Sequence, residues 1–288
     1  MKRLPKKEVR SPLRYPGGKS KLLHKIIPNI YPSYGEFREP FVGGGSVFLA
    51  AMQRINSSAL YIVNDLNYDV YCFWKELKEN GPVLINKIQR IKNEYANGKE
   101  LFQFLTSSEK ERTELERAER FFVLNRITFS GTTDSGGYSE QAFHKRFTNS
   151  SIQRLKLLPK LLEKVIIEHG DYEKLLFKPG KGVFIFLDPP YFSSTKSKLY
   201  GKNGDLHTTF DHERFANKMK KCQHKWLITY DDCKEVRDFF SFQEEHFYEW
   251  KAQYGMTNVA SEVAQKGNEL MIANYPLPPI EQKKLKHF

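Results

Sequence analysis

The residues Asp188-Pro189-Pro190-Tyr191 close an apolar run, Val183 to Leu187, whose length and β-rich composition suit a buried strand. Two prolines stop strand pairing, so the carboxylate of Asp188 stands just past the strand's carboxyl end. In open α/β sheets that edge is where ligands bind. An amino group on an aromatic ring is a poor nucleophile, because its lone pair is delocalised into the ring. Two hydrogen-bond acceptors on that nitrogen favour a more tetrahedral geometry and free the lone pair. Asp188 can supply one acceptor and the carbonyl of Pro189 the other. Tyr191 then offers a flat face for stacking a base taken out of its helix. By themselves the same four residues equally suit a strand end with Asp188 capping a turn.

A second set of residues can hold a nucleotide-like ligand. A short extended segment enters Gly43-Gly44-Gly45, Ser46 is placed to cap a helix, and that helix shows apolar spacing through Val47, Phe48, Leu49 and Met52. A second buried-strand pattern, Ala59 to Val63, runs into Asn64-Asp65. From Gly45 to Asp65 is 20 residues, the spacing at which a βαβ unit sets an acid on ribose hydroxyls. Glycines let the backbone approach a ligand without a Cβ in the way. The loop is neither a Walker loop, which needs Gly-Lys-Ser/Thr, nor Gly-x-Gly-x-x-Gly, since Phe48 stands at the third glycine. That disfavours a dinucleotide and leaves another adenosine-bearing ligand. A third set, Pro16-Gly17-Gly18-Lys19, is a turn leading into a helix through Leu22, Leu23, Ile26 and Ile27. Lys19 there suits a carboxylate or phosphate, or simply a solvated first turn.

The elements that must position these groups are those of an α/β protein. The 288-residue chain is 40% hydrophobic, enough for one large domain or two modest ones, and its net charge of +12 suits a polyanion, nucleic acid above all. The basic start from Met1 to Lys7 has no apolar core of a secretory signal, and no apolar stretch reaches membrane length. Cys72, Cys222 and Cys233 are scattered and suit a reducing cytoplasm. None follows a proline, which disfavours a cytosine-C5 methyltransferase.

Together the motifs resemble, in order, those of the Dam-type (D12 class, α-group) DNA adenine-N6 methyltransferases. The match runs through Arg14-Tyr15-Pro16-Gly17-Gly18-Lys19, Glu39-Pro40-Phe41-Val42-Gly43-Gly44-Gly45-Ser46 and Asp188-Pro189-Pro190-Tyr191. Leu124-Asn125-Arg126, Asp171-Tyr172 and Glu269 to Tyr275 add to it. The resemblance implies a Rossmann-like, S-adenosylmethionine-dependent methyltransferase sheet with a mostly helical target-recognition insert. Catalytic residues 1–69 and 161–288 would then flank an insert at 70–160. It implies methyl transfer to adenine N6 in duplex DNA by base flipping, without metal or covalent intermediate, by a chain that is a monomer in solution. Cytosine-N4 methylation uses the same amine chemistry, with serine commoner in place of Asp188. A non-catalytic nucleic-acid-binding module is the other alternative, disfavoured by the intact Lys19, Asp65 and Asp188. Implied cofactor residues are Tyr15, Gly18, Lys19 facing the methionyl carboxylate, Phe41, Gly43, Gly45, Asp65 on the ribose, Asp171 and Tyr172 beside the adenine, and Asp188.

The middle of the chain is read as the DNA-contacting part. Ser108-x-x-Glu111 reads as a capping box opening a helix through Leu115, Ala118 and Phe122. Residues 125–150, rich in Gly, Ser, Thr and aromatics, read as a long DNA-contacting loop. Arg126, Ser130, Thr132, Asp134 and Tyr138 are its candidate contacts, with Lys145 and Arg146 on phosphates. Family members that read GATC carry Asn-Gly-Leu-x-Arg here. Asp134 stands in place of that arginine and can only accept hydrogen bonds, so GATC is not the expected target. Ser193 to Phe210 reads as a loop closing over a flipped base. A helix from Phe210-Asp211-His212-Glu213, a strand Trp226 to Tyr230, and final strands near Glu245 to Tyr254 and Leu270 to Tyr275 complete the reading.

Overall fold

The computed structural model describes residues 8–15, 17–107, 111–133, 136–193, 209–253 and 266–277. Its centre is a seven-stranded sheet in the order β3-β2-β1-β4-β5-β7-β6. The strands are β1 (Glu36–Glu39), β2 (Leu60–Asp65), β3 (Val165–His169), β4 (Val183–Leu187), β5 (Lys225–Asp231), β6 (Phe247–Gln253) and β7 (Lys266–Ala273). The first five pair in parallel, and β7 runs antiparallel between β5 and β6. This is the expected Rossmann-like methyltransferase sheet. Every residue of β4 is buried, which explains its unbroken apolar run.

Strand order reverses between β1 and β4, since β1 leads on to β2 while β4 leads on to β5. That switch point leaves a crevice at the carboxyl ends of the two strands. Glu39 ends β1 and enters the glycine loop, and Leu187 ends β4 immediately before Asp188. The register pairs Glu269 of β7 with Asp231 at the end of β5, bringing the antiparallel strand's acid to the same edge.

Several local expectations are corrected. Ser46 does not cap its helix: Gly45 is the N-cap residue of the helix Ser46–Arg54, and the Ser46 hydroxyl instead meets that of Ser20 at 2.8 Å. The helix after Lys19 is broken into a 3-10 turn Lys19–Lys21, a single α-turn Leu23–Ile26, and another 3-10 turn. The capping box is Thr113 with Glu116, opening the helix Glu114–Ile127; Ser108 lies outside the described residues. The 125–150 stretch is not one long loop. The helix runs on to Ile127, a bridge joins Thr128 to Tyr138, and helices Glu140–Arg146 and Asn149–Gln153 follow. Strand β7 begins at Lys266, earlier than expected, because it pairs along the length of β6. The expected loop over a flipped base falls mostly outside the described residues.

Between β2 and β3 the described residues are mostly helical. The helices Tyr68–Glu79 and Glu114–Ile127 share a buried interface in which Phe73 stacks on Phe122 at 5.9 Å. Phe37 of β1, Trp74, Ile88 and Phe121 belong to one continuous apolar core, so these helices are packed into the sheet's own interior. Among the described residues no helix is long and apolar enough to cross a membrane.

Candidate active site

Asp188 lies at the crevice with two groups on one of its oxygens. The Thr229 hydroxyl donates to Oδ1 at 2.8 Å, and the Lys19 ammonium meets the same oxygen at 2.7 Å. Thr229 comes from β5, the parallel neighbour of β4. Lys19 is only 3% exposed; it also donates to the carbonyl of Gly17 at 2.8 Å and stands 4.7 Å from the centre of the Tyr191 ring. It is therefore no solvated first-turn lysine. The turn that delivers it is closed by the Gly18 amide donating to the Tyr15 carbonyl at 2.9 Å. Pro16 lies outside the described residues.

Tyr191 is fixed at both ends. Its hydroxyl donates to Glu269 Oε2 at 2.8 Å, and its ring lies nearly parallel to Tyr230 at 6.0 Å. Burial, with Glu269 and Asp188 close by, pushes the phenol well above its ordinary value, so it stays protonated. Burial also raises the Glu269 carboxyl, against the pull of Lys19. Glu39 sits behind the loop, accepting the Phe48 amide at 2.8 Å; burial and the nearby Asp188 and Asp65 raise it well above the carboxylate range.

The glycine loop folds tightly against Tyr15. Gly43 has a φ of 43°, and a Cβ there would come within 2.7 Å of the Tyr15 ring. Gly45 has a φ of 66°, and a Cβ there would strike Phe48 and Trp74. Side chains at either position would be both strained and crowded. The loop is pinned by Trp74 Nε1 donating to the Gly43 carbonyl at 3.0 Å. Asp65, at the carboxyl end of β2, accepts the Gly43 amide on Oδ2 at 2.8 Å and the Asn67 amide on Oδ1 at 2.9 Å. Burial raises this carboxyl to about 6 even against those two amides.

Phe41 and Tyr172 stand together, ring centres 5.3 Å apart, with Phe210 and Phe215 against both. Among the described residues the buried Tyr172 hydroxyl has no hydrogen-bond partner. Its neighbour Asp171 accepts the Glu173 amide at 2.8 Å and pairs with Arg214 at 3.2 Å. Aromatic faces, an unpartnered hydroxyl and an acid at the crevice rim are a donor set that fits the adenosine part of a methyl donor.

The expected DNA-contacting residues divide. Lys145 and Arg146 are exposed in the last turn of the helix Glu140–Arg146. Ser130 has a φ of 54° in the turn Phe129–Gly131, beside Phe129, which is 62% exposed. Thr132 is buried, its hydroxyl donating to the Phe129 carbonyl at 2.9 Å, and Tyr138 donates to Glu140 at 2.6 Å. Both hydroxyls thus serve the fold of this turn. Arg126 is buried at the end of its helix, and Asp134 lies outside the described residues.

Sequence reasoning gave no role to Thr229, Glu269, Glu39 or Asn125. Asn125 ties the insert to the N-terminal segment: it accepts the Arg14 amide at 2.9 Å and donates to the carbonyls of Arg14 at 2.8 Å and Gly131 at 3.0 Å. The Asn-Arg pair and the Glu269 segment were visible as motifs, but their contacts span 111 and 78 residues of chain.

A mixed α/β sheet with this switch-point site suits a methyltransferase, and the family match decides it. The chain belongs to the D12 class N6 adenine-specific DNA methyltransferase family, whose profile matches residues 15–256. It is similar to the type II methyltransferase M1.LlaDCHI of Lactococcus lactis subsp. cremoris, 27% identical over 239 residues, covering 79% of this chain and 74% of the relative. It is also similar to the DNA adenine methylase of Vibrio cholerae serotype O1, 26% identical over 225 residues, covering 75% and 77%. The protein is an adenine-specific DNA methyltransferase, with DNA as substrate and a methyl donor as cofactor.

Proposed function

We propose that the crevice between β1 and β4 transfers a methyl group from S-adenosylmethionine to N6 of an adenine flipped out of duplex DNA. The observation that carries this reading is Asp188 at the end of β4: among the described residues, Lys19 and Thr229 both engage Oδ1. Oδ2 is thereby left to accept from an amino group, with the Pro189 carbonyl as second acceptor. Pro190 holds the turn between the two, and Tyr191, fixed by Glu269, presents its ring to the base. Bound S-adenosylmethionine supplies an electrophilic methyl on sulfur, and no other cofactor chemistry is required. Tyr15, Gly18, Phe41, Gly43 and Gly45 shape its pocket. Lys19 faces its carboxylate, Asp65 its ribose, and Asp171 with Tyr172 its adenine.

The helical residues 70–160 serve in this reading as the target-recognition insert between catalytic parts 1–69 and 161–288. Arg126, Ser130, Thr132, Asp134, Tyr138, Lys145 and Arg146 are its candidate DNA contacts. The test is modification-aware sequencing of DNA from cells that express the protein and from cells that express Asp188→Ala. N6-methyladenine at a defined sequence in the first and not the second is the expected result. N4-methylcytosine, or no modification in either, overturns the reading.

A further inference from the structure

Pro189 and Pro190 follow β4 directly, and neither carries a backbone N–H. The stretch that presents the Pro189 carbonyl therefore cannot be tied to the sheet by its own donors. Its place is set from either side. On the amino side, Asp188 Oδ1 is held by the Thr229 hydroxyl at 2.8 Å and by Lys19 at 2.7 Å. On the carboxyl side the tie comes from Asp231, the last residue of β5. Its Oδ1 accepts the Phe192 amide at 2.9 Å, and its Oδ2 accepts the Ser193 amide at 2.7 Å.

Asp231 is buried, and it stands at a sheet edge that already holds two other acids. The register sets it across from Glu269, and Asp188 ends the neighbouring β4. A further carboxylate there is unfavourable unless its oxygens are answered by donors, and two successive amides answer both of them. Those amides lie 39 and 38 residues away in the chain. A residue that only ended β5 would cap the turn that follows it; Asp231 gives both oxygens to the segment directly after Tyr191. Thr229 and Asp231 lie two apart on β5, so one strand grips the Asp188–Ser193 segment at its first residue and at its last two. Between the grips the two proline rings lock φ at about −65°, which makes the link stiff. A displacement at Phe192 is thus passed on to the Pro189 carbonyl. The Tyr191 ring has its own tie, the hydroxyl on Glu269 at 2.8 Å.

We propose that Asp231 is a positioning residue for methyl transfer: its hold on the Phe192 and Ser193 amides fixes the Pro189 carbonyl where that carbonyl accepts from the target amine. This inference rests on the reading above, in which the Pro189 carbonyl is the amine's second acceptor. Asp231 acts through the backbone and not on the base itself, so its loss falls on the geometry of the reacting nitrogen. Binding of the cofactor and entry of the base, which the glycine loop and the Glu269-held Tyr191 serve, are left in place. Asparagine is no substitute here. Its oxygen accepts one amide, but its amino group faces the other, donor against donor.

The test uses the full chain with Asp231→Asn and Asp231→Glu, on a duplex carrying the site mapped by modification-aware sequencing. Single-turnover tritium transfer at saturating cofactor and DNA is measured beside cofactor affinity by calorimetry and thermal melting. Flipping is read from 2-aminopurine at the target position with a non-reactive cofactor analogue. Asp231→Asn should slow transfer about 10²-fold, the cost of misplacing a reacting group, while cofactor affinity and flipping stay at wild-type values. Asp231→Glu keeps both acceptor oxygens on a longer arm and should be slowed less. Wild-type transfer by Asp231→Asn overturns the proposal. Slowing matched by equal losses of cofactor affinity and flipping makes Asp231 a residue of the fold and overturns it too, as do equal rates in the two variants. Should Asp231→Asn not melt cooperatively, Asp231→Glu decides by the same split between transfer and binding. Failure of the parent reading shows in the wild-type chain itself, as N4-methylcytosine or no transfer. Failure of this proposal shows only in the variants, beside an active wild type.

Discussion

Removing the Asp188 carboxylate strips the site of two things that can be measured separately. Asp188→Ala takes away the acceptor proposed for the target amine, and it takes from Lys19 the oxygen that lies 2.7 Å away. The first loss falls on the chemical step. Deleting one preorganised electrostatic partner of a transition state costs on the order of 10²–10³ in rate, about 3–4 kcal/mol. The second loss falls on the fold. Breaking a buried ion pair by deleting one partner costs about 3–5 kcal/mol when the other charge is stranded. Asp188 retains 20% of its surface and Lys19 keeps the Gly17 carbonyl at 2.8 Å, which reduces that cost to about 2 kcal/mol.

The two losses separate in a double variant. Lys19→Met in the Asp188→Ala background removes the stranded ammonium and should recover most of the lost stability in denaturant melts. It should recover none of the lost rate in a single-turnover tritium-transfer assay at saturating cofactor. Wild-type turnover by Asp188→Ala would refute the assignment of the amine's acceptor. Recovery of rate together with stability in the double variant would also refute it, because the single loss would then be one of folding.

Two further outcomes are expected. Burial holds Asp65 near 6, above its unfolded value of 3.8, so the folded chain binds this proton more tightly. The stability that its protonated form contributes is therefore fully present below pH about 4 and lost as pH rises through about 6, while its ability to accept ribose hydroxyls grows over the same range. Calorimetry from pH 5 to 8 should show cofactor affinity rising through pH 6 in the wild type and flat in Asp65→Asn, and a wild-type curve without a step counts against the ribose role. For specificity, plasmid treated with enzyme and cofactor should stay sensitive to a nuclease blocked by GATC adenine methylation, and full protection would show that Arg126, Arg146 or another residue restores the guanine contact.

What the sequence made legible is what is local. The apolar run of β4 stops on two prolines, and the glycine loop and Asp65 are separated by one helix and one strand, so periodicity and turn chemistry place them. What it hid depends on register between distant strands. Thr229 reaches Asp188 only because β5 pairs with β4, and Glu269 reaches Tyr191 only because β7 inserts antiparallel beside β5. Capping was misplaced twice for a related reason. Gly45 adopts a left-handed conformation that pulls the helix start onto Ser46, and Thr113 with Glu116 forms the reciprocal box that Ser108 with Glu111 also spelled. The 125–150 segment looks like loop by composition. Its Ser139 and Thr148 are helix caps, however, donating structure to short helices that composition alone reads as coil.

Lys19 gives the site an order of events. Its ammonium stands at hydrogen-bond distance from Asp188 and over the ring of Tyr191, the two groups proposed to receive the target amine. A cation and a stacked base cannot share that face of the Tyr191 ring, so Lys19 must turn away before a base can enter. With 3% exposure it cannot simply swing into water, and it needs another anion to accept it. The methionyl carboxylate set against Lys19 by the family resemblance is such an anion, and cofactor binding is then the step expected to clear the ring for the base. A duplex carrying 2-aminopurine at the target position should therefore brighten on flipping only when the cofactor or a non-reactive analogue is present. With Lys19→Met it should brighten without either, because the charge that covers the Tyr191 ring is gone. Equal brightening of wild type with and without cofactor would show that Lys19 does not guard the site, and would return it to a plain ion-pair role at the end of β4.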